Sequence, residues 1–92
     1  MTNILGQQLQ DLANDHNLEL KLRYGGHHVQ LIGLTEQGTK VVANWWPYSR
    51  NKTVWIDSTK ARLTGCSLHD FVEQTIEAIA QVNTTEPRDG TP

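Results

Sequence analysis

Two runs of alternating side chains flank a diglycine, and no other feature restricts the fold of this chain as much. Leu18, Leu20, Leu22 and Tyr24 alternate with Glu19, Lys21 and Arg23 before Gly25-Gly26; His27, Val29 and Leu31 alternate with His28, Gln30 and Ile32 after it. A period of two is the signature of a strand with one buried face. Glycine tolerates positive φ, so Gly25-Gly26 reads as a two-residue hairpin turn. Such a turn sets the pairing: Tyr24 opposite His27, Arg23 opposite His28, Leu22 opposite Val29, and Leu20 opposite Leu31. Paired residues share a face. Leu18, Leu20, Leu22, Tyr24, His27, Val29 and Leu31 therefore form a core side. Glu19, Lys21, Arg23, His28, Gln30 and Ile32 form an open side.

Thr35-Glu36-Gln37-Gly38 is a second turn, leading to a third strand over about 39 to 46. Neighbouring side chains on a strand point oppositely, so one of Trp45 and Trp46 faces the core and the other the open side. A four-residue turn places Trp45 beside His28 and Arg23 on the open side; a one-residue bulge reverses the assignment. Pro47 cannot donate a ladder hydrogen bond and ends the strand. Thr53-Val54-Trp55-Ile56-Asp57 reads as a fourth strand, and residues 58 to 66 as a connector.

Helical spacing appears at both ends. Leu5, Leu9, Leu12, Ala13 and His16 predict a helix over about 3 to 16, capped by Thr2 or Asn3 and ended by Asn17. Leu68, Phe71, Val72, Thr75, Ile76, Ile79 and Ala80 form one stripe of a second helix over about 67 to 83. Ser67 and Asp70 suit a capping box, with Cys66 and Phe71 as a staple. Each helix must bury its apolar stripe. The simplest solution is an α+β two-layer domain: a helix, an antiparallel sheet of three or four strands, then a helix, with both helices on one sheet face and the other face open. Residues 1–83 form this single domain, and 84–92 a polar, flexible tail.

The 92 residues contain one cysteine, Cys66, which excludes an internal disulfide and any zinc site built on several thiols. The N-terminus lacks a basic start and a long apolar run, and no stretch reaches membrane-spanning length. The expected location is the cytoplasm, of a cell or of an infected host.

Charge is unevenly spread. Residues 21 to 62 hold seven of the eight Lys and Arg but two of the ten Asp and Glu, so the middle is +5 and the flanks together are −7, which sums to −2. The same middle carries the tryptophans and tyrosines. Clustered cations attract phosphates, and exposed rings stack on bases. The candidate binding residues are Lys21, Arg23, His28, Trp45, Trp46, Tyr48, Arg50, Lys52, Lys60 and Arg62. The expected function is non-catalytic contact with nucleic acid, RNA or DNA, through the open face and the 47 to 52 loop. The alternative is an inhibitor or adaptor of the phage or mobile-element kind. It would bind a host protein through exposed Trp, Tyr and Arg or through acidic helix faces. Unpaired sheet edges also open a route to a homodimer.

The element order resembles that of double-stranded RNA-binding domains, and Gly25-Gly26-His27-His28 is similar to the Gly-Pro-x-His loop of that family. The likeness is one of topology. Leu68-His69-Asp70 stands where the family places a lysine cluster, and a fourth strand is additional.

No catalytic or cofactor motif is present. Cys66 precedes a helix N-terminus and His69 follows three residues later, the one pair suited to nucleophilic work. The plainer role for Cys66 is a small apolar residue at the staple position. His27 and His28 are adjacent on a strand and point apart, so they cannot chelate one ion. No metal and no cofactor are expected.

Overall fold

The computed structural model describes residues 4–85. The order is α1 (Ile4–Asp15), β1 (Glu19–Arg23), a 3-10 turn (Tyr24–Gly26), β2 (His28–Leu34), β3 (Lys40–Trp45), β4 (Val54–Ile56), β5 (Ala61–Leu63) and α2 (Leu68–Thr85). The strands form one antiparallel sheet in sequence order. Helix α1 packs on β1, and α2 packs on β2, β3 and β4. The core lies between sheet and helices: Leu31, Val41, Ala43, Val54 and Ile56 from the strands meet Leu9, Ala13, Phe71 and Val72 from the helices. The expected α+β architecture holds, with five strands in place of three or four. The cap expected at Thr2 or Asn3 and residues 86–92 of the expected tail lie outside the described residues.

Local chemistry explains the helix ends. At the end of α1, Leu18 N–H donates to Ala13 O (2.7 Å) and Asn17 N–H to Asn14 O (3.3 Å), with Asn17 at φ 56°. This double closure satisfies orphan carbonyls and needs a left-handed residue, which Asn accepts at low cost. It turns the chain back and carries Leu18 into the core on its way into β1. At the start of α2, Ser67 N–H donates to Asp70 Oδ2 (3.0 Å) and Asp70 N–H to Ser67 Oγ (3.2 Å), the reciprocal pair anticipated from the sequence.

The Ser67 N–H, and after it the Ser67 hydroxyl, hold the Asp70 carboxyl below its ordinary value. A depressed carboxyl stabilises the fold above the unfolded value of about 3.9 and loses that effect as pH falls through the folded value. Asp70→Asn is therefore expected to flatten the acid limb of the stability profile below about pH 4. Thermal midpoints measured across pH check this; identical acid limbs would show that the cap is not linked to titration.

Three expectations are corrected. The first hairpin keeps the predicted register, with Arg23↔His28, Leu22↔Val29 and Leu20↔Leu31. Its turn is longer, however. Tyr24, Gly25 and Gly26 all have positive φ (55°, 65° and 95°), and His27 N–H closes on Tyr24 O (3.2 Å). Tyr24 and His27 thus leave the sheet instead of pairing in it, and Tyr24 is 80% exposed instead of buried. Leu22, assigned to the core, is half exposed because β1 is an edge strand.

The second correction concerns the β2–β3 turn. Thr35 N–H donates to Thr39 O (2.9 Å), Thr39 N–H to Thr35 Oγ1 (3.0 Å), and Gly38 takes φ 84°. The loop is therefore three residues, Glu36-Gln37-Gly38, with glycine at the left-handed position. One residue fewer in the loop shifts the pairing by one, giving Val29↔Trp45. Every β3 side chain changes face as a result. Trp45 goes to the helix side, 3% exposed, with its ring 5.1 Å from that of Phe71. Trp46 goes to the open side.

Third, residues 58 to 66 are not a plain connector. Ala61–Leu63 pairs with β4 as a fifth strand, Val54↔Leu63, Trp55↔Arg62 and Ile56↔Ala61. Three residues are too few to show a period.

Candidate functional site

The sheet register builds the open face row by row. Lys21↔Gln30, Gln30↔Asn44, Asn44↔Trp55 and Trp55↔Arg62 are successive pairs. One transverse row therefore runs through all five strands, with a cation at each edge and planar side chains between. Four strand spacings make this row roughly 19 Å long. A neighbouring row holds Arg23 opposite His28, with Trp46 stacked on the His28 ring at 4.8 Å and 7°. On the far side of the long row lie Glu19, Ile32 and Val42.

Hydrogen bonds join the two functional rows. Arg23 Nε donates to Gln30 Oε1 (2.8 Å), and Gln30 Nε2 donates to Asn44 Oδ1 (2.9 Å). His28 Nε2 lies 2.9 Å from the same Asn44 oxygen. An amide oxygen only accepts, so His28 donates from Nε2. Asn44 Nδ2 donates in turn to Trp55 O (3.3 Å), and Trp55 Nε1 donates to Asp57 Oδ1. Asn44, 7% exposed, is the hub of this lattice. The lattice fixes the His28 ring and through it the Trp46 indole, so the aromatic surface is held in place before anything binds.

The predicted residues are only partly brought together. Lys21, Arg23, His28 and Trp46 share the open face, and Arg62 closes its far edge. Lys21 also lies 3.8 Å from Glu19, an exposed ion pair. Trp45 is removed from the site by the register shift. Tyr48, Arg50 and Lys52 are exposed on the loop beyond Trp46. That loop is tethered: Ser49 Oγ donates to Trp46 O (2.8 Å) and accepts from Lys52 N–H (3.0 Å), and Asn51 O accepts from Gly65 N–H (2.7 Å). Tyr48 meets His27 edge to face at 5.3 Å. Lys60 sits in the β4–β5 turn at the opposite end of the sheet, away from Arg50 and Lys52.

Three residues of the face were not among the predicted site residues: Gln30, Asn44 and Trp55. Trp55 was legible, because Val54 and Ile56 on either side are apolar and claim the core. Gln30 was assigned to the open side but carried no charge or ring to mark it. Asn44 depended on the β2–β3 register.

Cys66 does not suit a nucleophile. Burial, and then the Asp70 carboxylate, push its thiol above the ordinary value, and it is 4% exposed within the core. Among the described residues no group of three or more His, Cys, Asp or Glu is placed to hold a metal ion. No helix among them is long and apolar enough to cross a membrane.

Fold and face together define a small α+β domain with a helix-backed antiparallel sheet and a polar, aromatic open surface. No protein-family model matches the chain, and no curated protein or solved structure is detectably similar to it.

Proposed function

We propose that this protein is a non-catalytic, cytoplasmic binding domain that takes single-stranded nucleic acid, RNA or DNA, across its open sheet face. The carrying observation is the row Lys21, Gln30, Asn44, Trp55 and Arg62, flanked by the Trp46–His28 stack. Cations at the two edges suit phosphates. Planar rings and amides between them suit bases, by stacking and by edge hydrogen bonds. A duplex keeps its base faces stacked inside and would use only the cations. The net charge of −2 works against tight, indiscriminate attachment, so recognition rests on the face and not on the whole molecule's field.

Fluorescently labelled single strands and duplexes of RNA and DNA, titrated at low and moderate salt, test the proposal. Single strands are expected to bind more tightly than duplexes, with affinity falling as salt rises. Lys21→Glu and Arg62→Glu are each expected to weaken binding and reduce the salt slope by about one unit, the mark of a lost phosphate contact. Absence of binding at low salt would overturn the reading, as would full affinity in the double variant. Capture of a host protein from nuclease-treated lysate, lost on Glu73→Lys and Glu77→Lys, would instead favour the inhibitor or adaptor reading.

A further inference from the structure

The outer edge of β1 carries a sequence that is its own antiparallel complement. Strand β1 is Glu19-Leu20-Lys21-Leu22-Arg23, and it pairs on one side only, with β2. Its charged residues point to the open face and its leucines to the helix face. Two antiparallel copies related by a twofold axis place residues opposite each other whose numbers add to a constant. An odd constant sets open-face residues of one copy against helix-face residues of the other, putting leucines among charges. Even constants keep both faces continuous.

Among the even registers, only the one centred on Lys21 uses all five strand residues. It sets Glu19 opposite the second copy's Arg23 twice over, and Leu20 opposite Leu22 twice over. A register centred on Leu22 retains three pairs and opposes Lys21 to Arg23. A register centred on Leu20 runs into Asn17, whose left-handed backbone at φ 56° closes α1 and cannot continue a strand. Half-exposed Leu22 gives the helix-side surface a reason to be covered. The symmetric contact opposes Lys21 to its own copy, a like-charge pair that each Glu19, 3.8 Å from its own Lys21, offsets.

We infer that this protein self-associates through β1, in the register centred on Lys21, as a twofold dimer with one ten-stranded sheet. The occupant of the edge is a second copy of the chain, and the contact is isologous. The two open faces join into one surface, doubling the transverse row without burying it. The interface is short, so the dimer forms at high concentration and dissociates on dilution.

Sedimentation equilibrium of the full chain without nucleic acid, up to about 1 mM, tests this independently of any ligand. A reversible monomer–dimer equilibrium is expected. Glu19→Arg and Arg23→Glu each place two like-charge pairs across the axis and are expected to weaken the dimer by about tenfold. The double variant Glu19→Arg/Arg23→Glu restores both pairs with the signs exchanged and recovers the affinity. Circular dichroism confirms that each variant is folded. A chain that stays monomeric at every concentration overturns the inference. So does a dimer indifferent to the single exchanges, or one that the double exchange fails to rescue.

Discussion

Trp45→Ala is expected to lower the unfolding free energy by about 2 kcal/mol, the balance of two opposed effects. Truncating a buried Trp to Ala ordinarily costs about 3–5 kcal/mol through lost transfer energy and the cavity left behind. Trp45 is 3% exposed and its ring lies 5.1 Å from that of Phe71, so the full cavity cost applies. Its buried Nε1, however, has no hydrogen-bond partner among the described residues. Removing an orphan donor returns about 1–3 kcal/mol. For a domain of this size the net loss lowers the thermal midpoint by roughly 8–16 °C. Trp45→Phe separates the two effects: it keeps most of the ring contact and deletes the orphan donor, so its stability is expected within about 1 kcal/mol of wild type. Thermal and denaturant unfolding of both variants check this. An alanine variant as stable as the parent would place this indole outside the core and reverse the β3 register.

Trp46→Ala is expected to do the opposite: little to stability, much to binding. The indole is half-buried, stacked by one face on His28 at 4.8 Å, with no helix packed over it. Losing that stack costs about 1 kcal/mol of folding free energy. Stacking on a base contributes about 1–3 kcal/mol, so affinity for a labelled single strand is expected to fall roughly 5- to 150-fold. Trp46→Phe keeps a smaller stacking surface and should fall between. Unchanged affinity in a folded Trp46→Ala variant would remove the aromatic platform from the mechanism. Two adjacent residues of one type thus separate the core from the binding face, and measuring both properties on both variants distinguishes a local effect from general unfolding.

Much of the fold was legible in the residues. Alternation on both sides of Gly25-Gly26 was enough for the first hairpin and its register, because a one-residue slip there would have put leucines in water and charges in the core. The Ser67–Asp70 cap is a local signal within one turn of helix and appears as expected, whereas the α2 stripe holds at Leu68, Phe71, Val72 and Thr75 but buries Ala78 and leaves Ile76 and Ala80 exposed. The open face was legible for Lys21, Arg23 and His28 for the same reason. Arg62 was legible only as a cation, since Ala61–Leu63 becomes a strand solely by pairing with β4.

What remained undecided in the residues was any choice with two locally acceptable answers. Thr35-Glu36-Gln37-Gly38 accommodates a four-residue turn or a three-residue loop, and both put glycine where positive φ is allowed. Trp45 and Trp46 are chemically identical, so the pattern cannot say which is buried. The packed structure chooses because the helix layer needs one large ring over Phe71 and the hydrogen-bond lattice of Gln30, Asn44 and His28 closes only in the observed register. Local spacing alone determined the first four strands, the helices and the basic centre of this protein. Contacts between residues distant along the chain decided which ring faces water, since that energy exists only once sheet and helices have met.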